Sequence, residues 1–330
     1  MKTYEQTDLL IDGAYQDLFN DFIAFKKGLG FSYGKSIQGR LRELSRFLAG
    51  KEELSEVVSR EYYEEFCARR GSEKAANQSL RMAYTRQFCL FLQTRGYSCF
   101  VPLDCQCKQD ESFMPYIISE EEMALILTVA DSRGSYGKTT YGHLIFPMLI
   151  RMLWCCGLRI GEAIALTIGD VDLQAGILRI VNGKNNRDRL VPMSRTCTNH
   201  ARVYWDSMGF DHLDSSSLFF PSPRGGKYSQ AGASGRVKEM MAKAGIRTSE
   251  GKVPRTHDIR HSYAVRALQK MEDEGTDLYC SLPLLSIYMG HHNIKSTEYY
   301  LRLTESGARR IEQKMAKAYE DFFPEVNGHE

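Results

Sequence analysis

Nowhere in these 330 residues does an apolar run approach the roughly 20 residues that a membrane-spanning helix needs. The opening stretch "MKTYEQTDLLIDGAYQD" brings acids early and has no apolar h-region, so it does not read as a secretory signal. Both observations point to a cytoplasmic protein. The nine cysteines, at 67, 89, 99, 105, 107, 155, 156, 197 and 280, lack the paired CxxC spacing of a zinc site. In a reducing compartment they read as small apolar packers, and no metal or other cofactor is expected. Internal repeats and low-complexity tracts are missing as well. The formal net charge is only +2, too small by itself to announce a nucleic-acid partner.

What is present is the balance of an ordinary globular protein, with 43% hydrophobic and 25% charged residues. The length allows two domains of roughly 100 to 200 residues each. Charge is unevenly spread: residues 1–68 hold nine Lys/Arg against twelve Asp/Glu, whereas residues 69–97 hold Arg69, Arg70, Lys74, Arg81, Arg86 and Arg95 against Glu73. In that basic stretch Leu80, Tyr84, Phe88, Phe91 and Leu92 fall at steps of four and three, the spacing of one apolar helical stripe. Gln78, Arg81, Thr85 and Arg86 are left on other faces. A cationic face with Arg81 and Arg86 fits a DNA groove or a merely solvated surface equally well.

Upstream, two helices break at Gly28 and Gly30, and Leu41, Leu44, Phe47 and Leu48 give the second its buried stripe. The stretch "RGYSCFVPLDCQCKQDESFMPY" loses periodicity, as a linker would. The division expected is a helical domain over 1–107, a linker over 108–116 and a second domain over 117–330. Ser119 reads as the N-cap that opens the second domain, with Glu120, Glu121 and Glu122 in the first helical turn.

In that domain "ILRIVNGKNNRDRLVPM" predicts a β-hairpin, with β-rich runs at 177–181 and 190–193 around a polar turn containing Gly183. The turn region carries Lys184, Arg187 and Arg189, which a sheet edge would project outward as candidate DNA contacts. Elsewhere the pattern is helical, so the fold class is mainly α with a small antiparallel β-sheet (α+β). In "WCCGLRIGEAIALTIGD" Arg159 and Glu162 lie three apart, hence on one helical face. The same spacing joins His257 and Arg260 in "PRTHDIRHSYAV". Either pair alone is most simply structural. The segment "MGHHNIKSTEYY" adds two histidines and two tyrosines, and spacing by itself leaves Tyr299 and Tyr300 even.

Two arginines, a hairpin lysine, one or two histidines and a late tyrosine, in this order, resemble the tyrosine recombinases, the phage-integrase family of DNA breaking and rejoining enzymes. The boxes are "CGLRIGEAIAL", "VNGKNNRDRLVPM", "THDIRHSYA" and "MGHHNIKSTEYY". The resemblance implies a helical core-binding domain followed by a catalytic domain, and assigns catalysis to Arg159, Lys184, His257, Arg260, His291 and Tyr300. Counting nine residues from His291, which follows Gly290, selects Tyr300 and leaves His292 and Tyr299 as neighbours. Met289 stands where leucine is more usual in the family.

Each residue type suits phosphodiester chemistry. Arg159 and Arg260 would grip the nonbridging oxygens with planar forks. Tyr300 would attack phosphorus and store the bond as a 3'-phosphotyrosine, so that no ATP is needed. A phenol ordinarily titrates near 10 and needs a proton acceptor, a role the family gives to His257. Lys184 would protonate the departing 5'-oxygen, His291 would hydrogen-bond the phosphate, and Glu162 would orient the arginine helix.

The implied partners are double-stranded DNA carrying a specific recombination site, three further protomers in a tetramer on DNA, and an accessory directionality factor. A stripe of Ile311, Met315, Tyr319, Phe322 and Phe323 reads as a C-terminal helix that docks on a neighbouring protomer or caps its own domain. The expected role is integration or recombination for a mobile genetic element. The alternative is a Xer-like resolvase of chromosome or plasmid dimers. Three rivals lie further off: a metal-dependent transposase or nuclease, whose carboxylate set the acids here do not form; a type IB topoisomerase; and an inactive DNA-binding protein.

Overall fold

A computed structural model of the chain describes residues 15–31, 33–51, 57–103, 114–132, 141–181, 188–290, 295–301 and 303. The chain divides into two compact units, Met1–Phe113 and Met114–Glu330. It is mostly helical with one small antiparallel sheet. The expected linker, apart from its last residues, and the C-terminal stripe at 311–323 lie outside the described residues.

The first unit contains α1 (Gln16–Gly28), α2 (Lys35–Ala49), α3 (Arg60–Cys67) and α4 (Ala75–Thr94). Its core is aromatic. Phe19 and Phe88 stack at 4.1 Å, Phe22 meets the edge of Phe88, and Leu41, Leu44 and Leu48 close the cluster. The buried face of α4 departs from the expected stripe. Arg81 and Thr85 are buried on it, along with Phe88, Cys89, Phe91 and Leu92, while Leu80 is exposed. Arg81 can go inside because its guanidinium is matched there: it pairs with Glu73 at 2.5 Å and donates to the Ala68 carbonyl at 2.8 Å. A paired and hydrogen-bonded cation tolerates burial that a lone one does not.

The second unit begins as the sequence suggests. Ser119 Oγ accepts from the Glu122 backbone N–H at 3.1 Å, and the Glu122 carboxylate accepts from the Ser119 N–H at 3.0 Å, a capping box that starts α5 (Glu120–Asp131). α6 (Gly142–Cys156) is apolar nearly all round and runs through the core. A short α7 (Ile160–Ala163) leads to β1 (Val171–Asp172), β2 (Ile177–Ile180) and β3 (Arg189–Pro192), in sheet order β1-β2-β3. The hairpin register pairs Leu178 with Val191 and Ile180 with Arg189. The two-residue β1 is an addition that no alternation in the sequence announces.

α8 (Arg195–Met208) and α9 (Gln230–Lys243) pack with α5 and α6 around Leu149, Leu153, Phe219, Phe220, Val237 and Met240. A second, smaller cluster joins α10 (Thr256–Asp273), α11 (Leu278–Met289) and α12 (Lys295–Leu301) through Ala264, Leu268, Leu285, Met289 and Tyr300. Five cysteines, Cys67, Cys89, Cys99, Cys156 and Cys197, are buried.

Candidate active site

Three elements converge at the C-terminal end of α11. The last turn of a helix leaves carbonyls without intrahelical partners, and the aligned peptide dipoles make that end negative. Here three consecutive carbonyls each accept from a different arginine. Arg189 Nε donates to Tyr288 at 2.9 Å, Arg260 Nη2 donates to Met289, and Arg159 Nη2 donates to Gly290 at 3.0 Å. Residues distant in sequence are thus held on one short stretch of backbone.

One carboxylate joins the arginines from the other side. Glu162 Oε1 accepts from Arg159 Nη1 at 2.7 Å, and its two oxygens take Arg189 as a fork at 3.1 and 2.8 Å. Arg260 stands 3.8 Å from the same group. Burial works to raise the Glu162 carboxyl, but the bonds and charge of Arg189, with those of Arg159, overcome it and hold the group at about 2. Arg159 and Glu162 meet as their spacing suggested, although Arg159 stands just before the helix and not within it. Arg159 is the N-cap of α7, and the Glu162 side chain returns to its backbone N–H at 2.9 Å.

Two glycines shape the cradle. Gly157 ends α6 in the left-handed conformation, φ 59°, and a Cβ there would overlap the Tyr263 ring. Its carbonyl accepts from Arg260 Nη1 at 2.6 Å. Gly290, φ 64°, leaves room for Arg189, whose Nη1 would lie 3.0 Å from an added Cβ. Arg260 is 2% exposed. Burial and the charge of Arg159 bring its guanidinium down to about 10, still protonated at neutral pH. Each terminal guanidinium nitrogen has two hydrogens, so bonding a carbonyl does not exhaust it as a donor.

α10 carries His257, Arg260 and His261 at positions that share one side of a helix. The imidazoles of His257 and His261 meet at right angles with centroids 4.8 Å apart. His261 Nδ1 lies 2.9 Å from the Tyr300 hydroxyl, and Tyr300, on α12, is 3% exposed. Both histidines are pushed down to about 4. For His257 the causes are burial of much of the ring and then the charges of His261, Arg260, Arg255 and Arg159. For His261 burial leads, Asp258 opposes it, and Arg255 and Arg260 add to it. An open cavity of about 300 Å³ beside His257 is lined by Lys238, Arg255, Thr256, Ser234 and Ile160 among others.

The structure therefore gathers Arg159, Glu162 and Arg260 at one place, with Tyr300 beside α10. Lys184, Arg187, His291 and His292 lie outside the described residues. Arg189 does not project outward from the sheet edge: its side chain is 10% exposed and is committed to Glu162 and Tyr288. Arg81 is likewise turned inward, and Arg86 donates to the Pro102 carbonyl at 2.9 Å. Sequence reasoning passed over His261. Its position four residues after His257 was the available signal.

Residues 117–306 match the Phage integrase family, and the chain belongs to that family of tyrosine recombinases, enzymes that cleave and rejoin DNA strands. It is 35% identical over 188 residues to a Sinorhizobium fredii protein named as an integrase/recombinase, a match that spans 57% of this chain and 59% of that one. It is 26% identical over 303 residues to the tyrosine recombinase XerD of Rhizobium meliloti, spanning 89% and 92%. Among solved structures, the XerH site-specific recombinase bound to palindromic difH superposes with a TM-score of 0.62 at 17% identity, over 85% of this chain and 77% of that one.

Proposed function

We propose that this chain is a site-specific recombinase that cuts one DNA strand with Tyr300 and needs neither metal nor nucleotide. The observation that carries the reading is the arginine cluster. Arg159, Arg189 and Arg260 surround one carboxylate, so the site holds an excess of fixed positive charge suited to a phosphodiester. The Tyr300 hydroxyl is bonded to the residue that follows Arg260. Attack by Oη forms the Oη–P bond and breaks the bond from phosphorus to the 5'-oxygen, leaving a 3'-phosphotyrosine and a free 5'-hydroxyl. The reverse step, with a 5'-hydroxyl from another duplex, exchanges strands.

Lys184 as proton donor to the 5'-oxygen and His291 as a phosphate contact complete the set by resemblance. His257 faces the cavity with Lys238 and Arg255, where a DNA backbone would pass. A specific double-stranded site, a tetramer on DNA, docking of the C-terminal stripe on a neighbouring protomer and an accessory directionality factor belong to the same reading. So does the service of a mobile genetic element from the cytoplasm. The match over 92% of a XerD favours Xer-like dimer resolution as the second reading; strand exchange between two sites on one circle, without inter-molecular products, would select it.

The test is a suicide substrate carrying the cognate site, in EDTA. The expected result is an SDS-resistant adduct that maps to Tyr300, persists in Tyr299→Phe and is absent in Tyr300→Phe, which still binds DNA. An adduct on Tyr299, or cleavage that requires added magnesium, overturns the reading.

A further inference from the structure

We propose that His261, rather than His257, takes the phenolic proton from Tyr300 when the nucleophile attacks. The inference rests on the reading of Tyr300 as the nucleophile and goes beyond it by naming the group that activates it.

Geometry comes first. A general base has to stand within about 2.6–3.2 Å of the atom it deprotonates, and His261 Nδ1 stands 2.9 Å from Tyr300 Oη. With the ring proton on Nε2, Nδ1 is the acceptor of the phenolic O–H. The ring centroids are 5.6 Å apart and tilted by 51°, so the contact is made edge-on by the nitrogen and is not a stack. Tyr300 is 3% exposed and packs among Val265, Leu268, Leu285 and Met289, which keeps bulk water from serving as the acceptor.

The position of His261 on α10 strengthens the case. It follows Arg260 directly, so the group that receives the proton and the cation that faces the phosphate share one rigid helix. The charged and titratable groups around the ring are Asp258, Arg255, Arg260 and His257 on α10, with Tyr300 opposite on α12. Burial and the two arginines keep the imidazole neutral and hence ready to accept. A bound phosphodiester brings a negative charge beside the arginines, offsets part of their effect and raises the basicity of His261 at the moment it is needed.

The step balances. The Oη–H bond breaks and a proton is added to Nδ1, the Oη–P bond forms, and the bond from phosphorus to the 5'-oxygen breaks. On rejoining, the imidazolium returns its proton to the departing phenolate.

The test compares single-turnover cleavage of a suicide substrate by the full chain, by His261→Asn and His261→Gln, and by His257→Asn, at several pH values. Asparagine keeps a hydrogen-bonding group near Nδ1 but cannot carry the proton away. His261→Asn should bind DNA normally and cleave roughly a hundred- to ten-thousand-fold more slowly at neutral pH. The deficit should shrink about tenfold per pH unit as the phenol, ordinarily near 10, ionises unaided. A pH-independent deficit, wild-type cleavage by His261→Asn, or a pH-rescued deficit in His257→Asn alone overturns the proposal. If His261→Asn does not fold, His261→Gln is read by the same criteria. A wild-type adduct mapping elsewhere than Tyr300 sinks the proposed nucleophile instead, so the two failures are distinguishable.

Discussion

Glu162→Gln tests how the arginine cluster is held together. The substitution keeps the size of the side chain and removes its charge, leaving Arg159, Arg189 and Arg260 to repel one another in a site where the Glu162 side chain is 7% exposed. The carboxyl falls from 4.5 to about 2 on folding. At about 1.4 kcal/mol per pH unit the difference is worth roughly 3 kcal/mol. For a unit of this size the loss lowers the melting temperature by about 6–12 °C. Trp154 and Trp205, the only tryptophans in the sequence, both lie in the Met114–Glu330 unit, so their fluorescence reports its unfolding selectively. The folded value lies below the unfolded one. The contribution is therefore complete above about pH 4.5 and fades as pH falls toward about 2. In urea titrations the gap between wild type and Glu162→Gln should be largest at neutral pH and narrower by about 1 kcal/mol near pH 3.5. No gap at neutral pH, or one that stays constant as pH falls, would refute the reasoning.

Gly157→Ala should lower stability and cleavage together, because the new methyl meets the Tyr263 ring and displaces the carbonyl that holds Arg260; circular dichroism melting and the adduct assay check this. Arg81→Ala should destabilise the first unit by about 3 kcal/mol, because Glu73 loses its ion-pair partner, and should leave the salt dependence of DNA binding near that of wild type. Lys238→Ala, at the cavity beside His257, should instead flatten the plot of log affinity against log salt by about 0.9; an unchanged slope would take that cavity off the DNA path.

Local patterns were the legible part of this fold. The Ser119 capping box closes over three residues, and the hairpin was readable because two β-rich runs flank a turn. Membership of the family was readable through the order of the four boxes along the chain. Arg81 and Arg189 were misread for one reason: periodicity assigns a charge to the outside, whereas these two turn inward onto carboxylates that periodicity does not pair with them. Glu73 lies eight residues before Arg81, and Glu162 lies 27 residues before Arg189. His261 was not legible because what sets it apart is its contact with Tyr300 on α12, whose packing against α10 is tertiary.

The use of carbonyls in place of further carboxylates has a physical consequence. A carbonyl orients a guanidinium without cancelling its charge, whereas each added carboxylate would remove a unit of the field that a phosphodiester needs. Three arginines matched by one carboxylate and four carbonyls stay ordered and retain excess positive charge before DNA arrives. The order lies in the fold itself, so little reorganisation is left for the reaction. The carbonyl-bearing turn of α11 also lies just ahead of the segment that carries His291 and then Tyr300. A displacement of α11 would therefore disturb the arginines bonded to its last carbonyls and also Tyr300, which shares a core cluster with Met289.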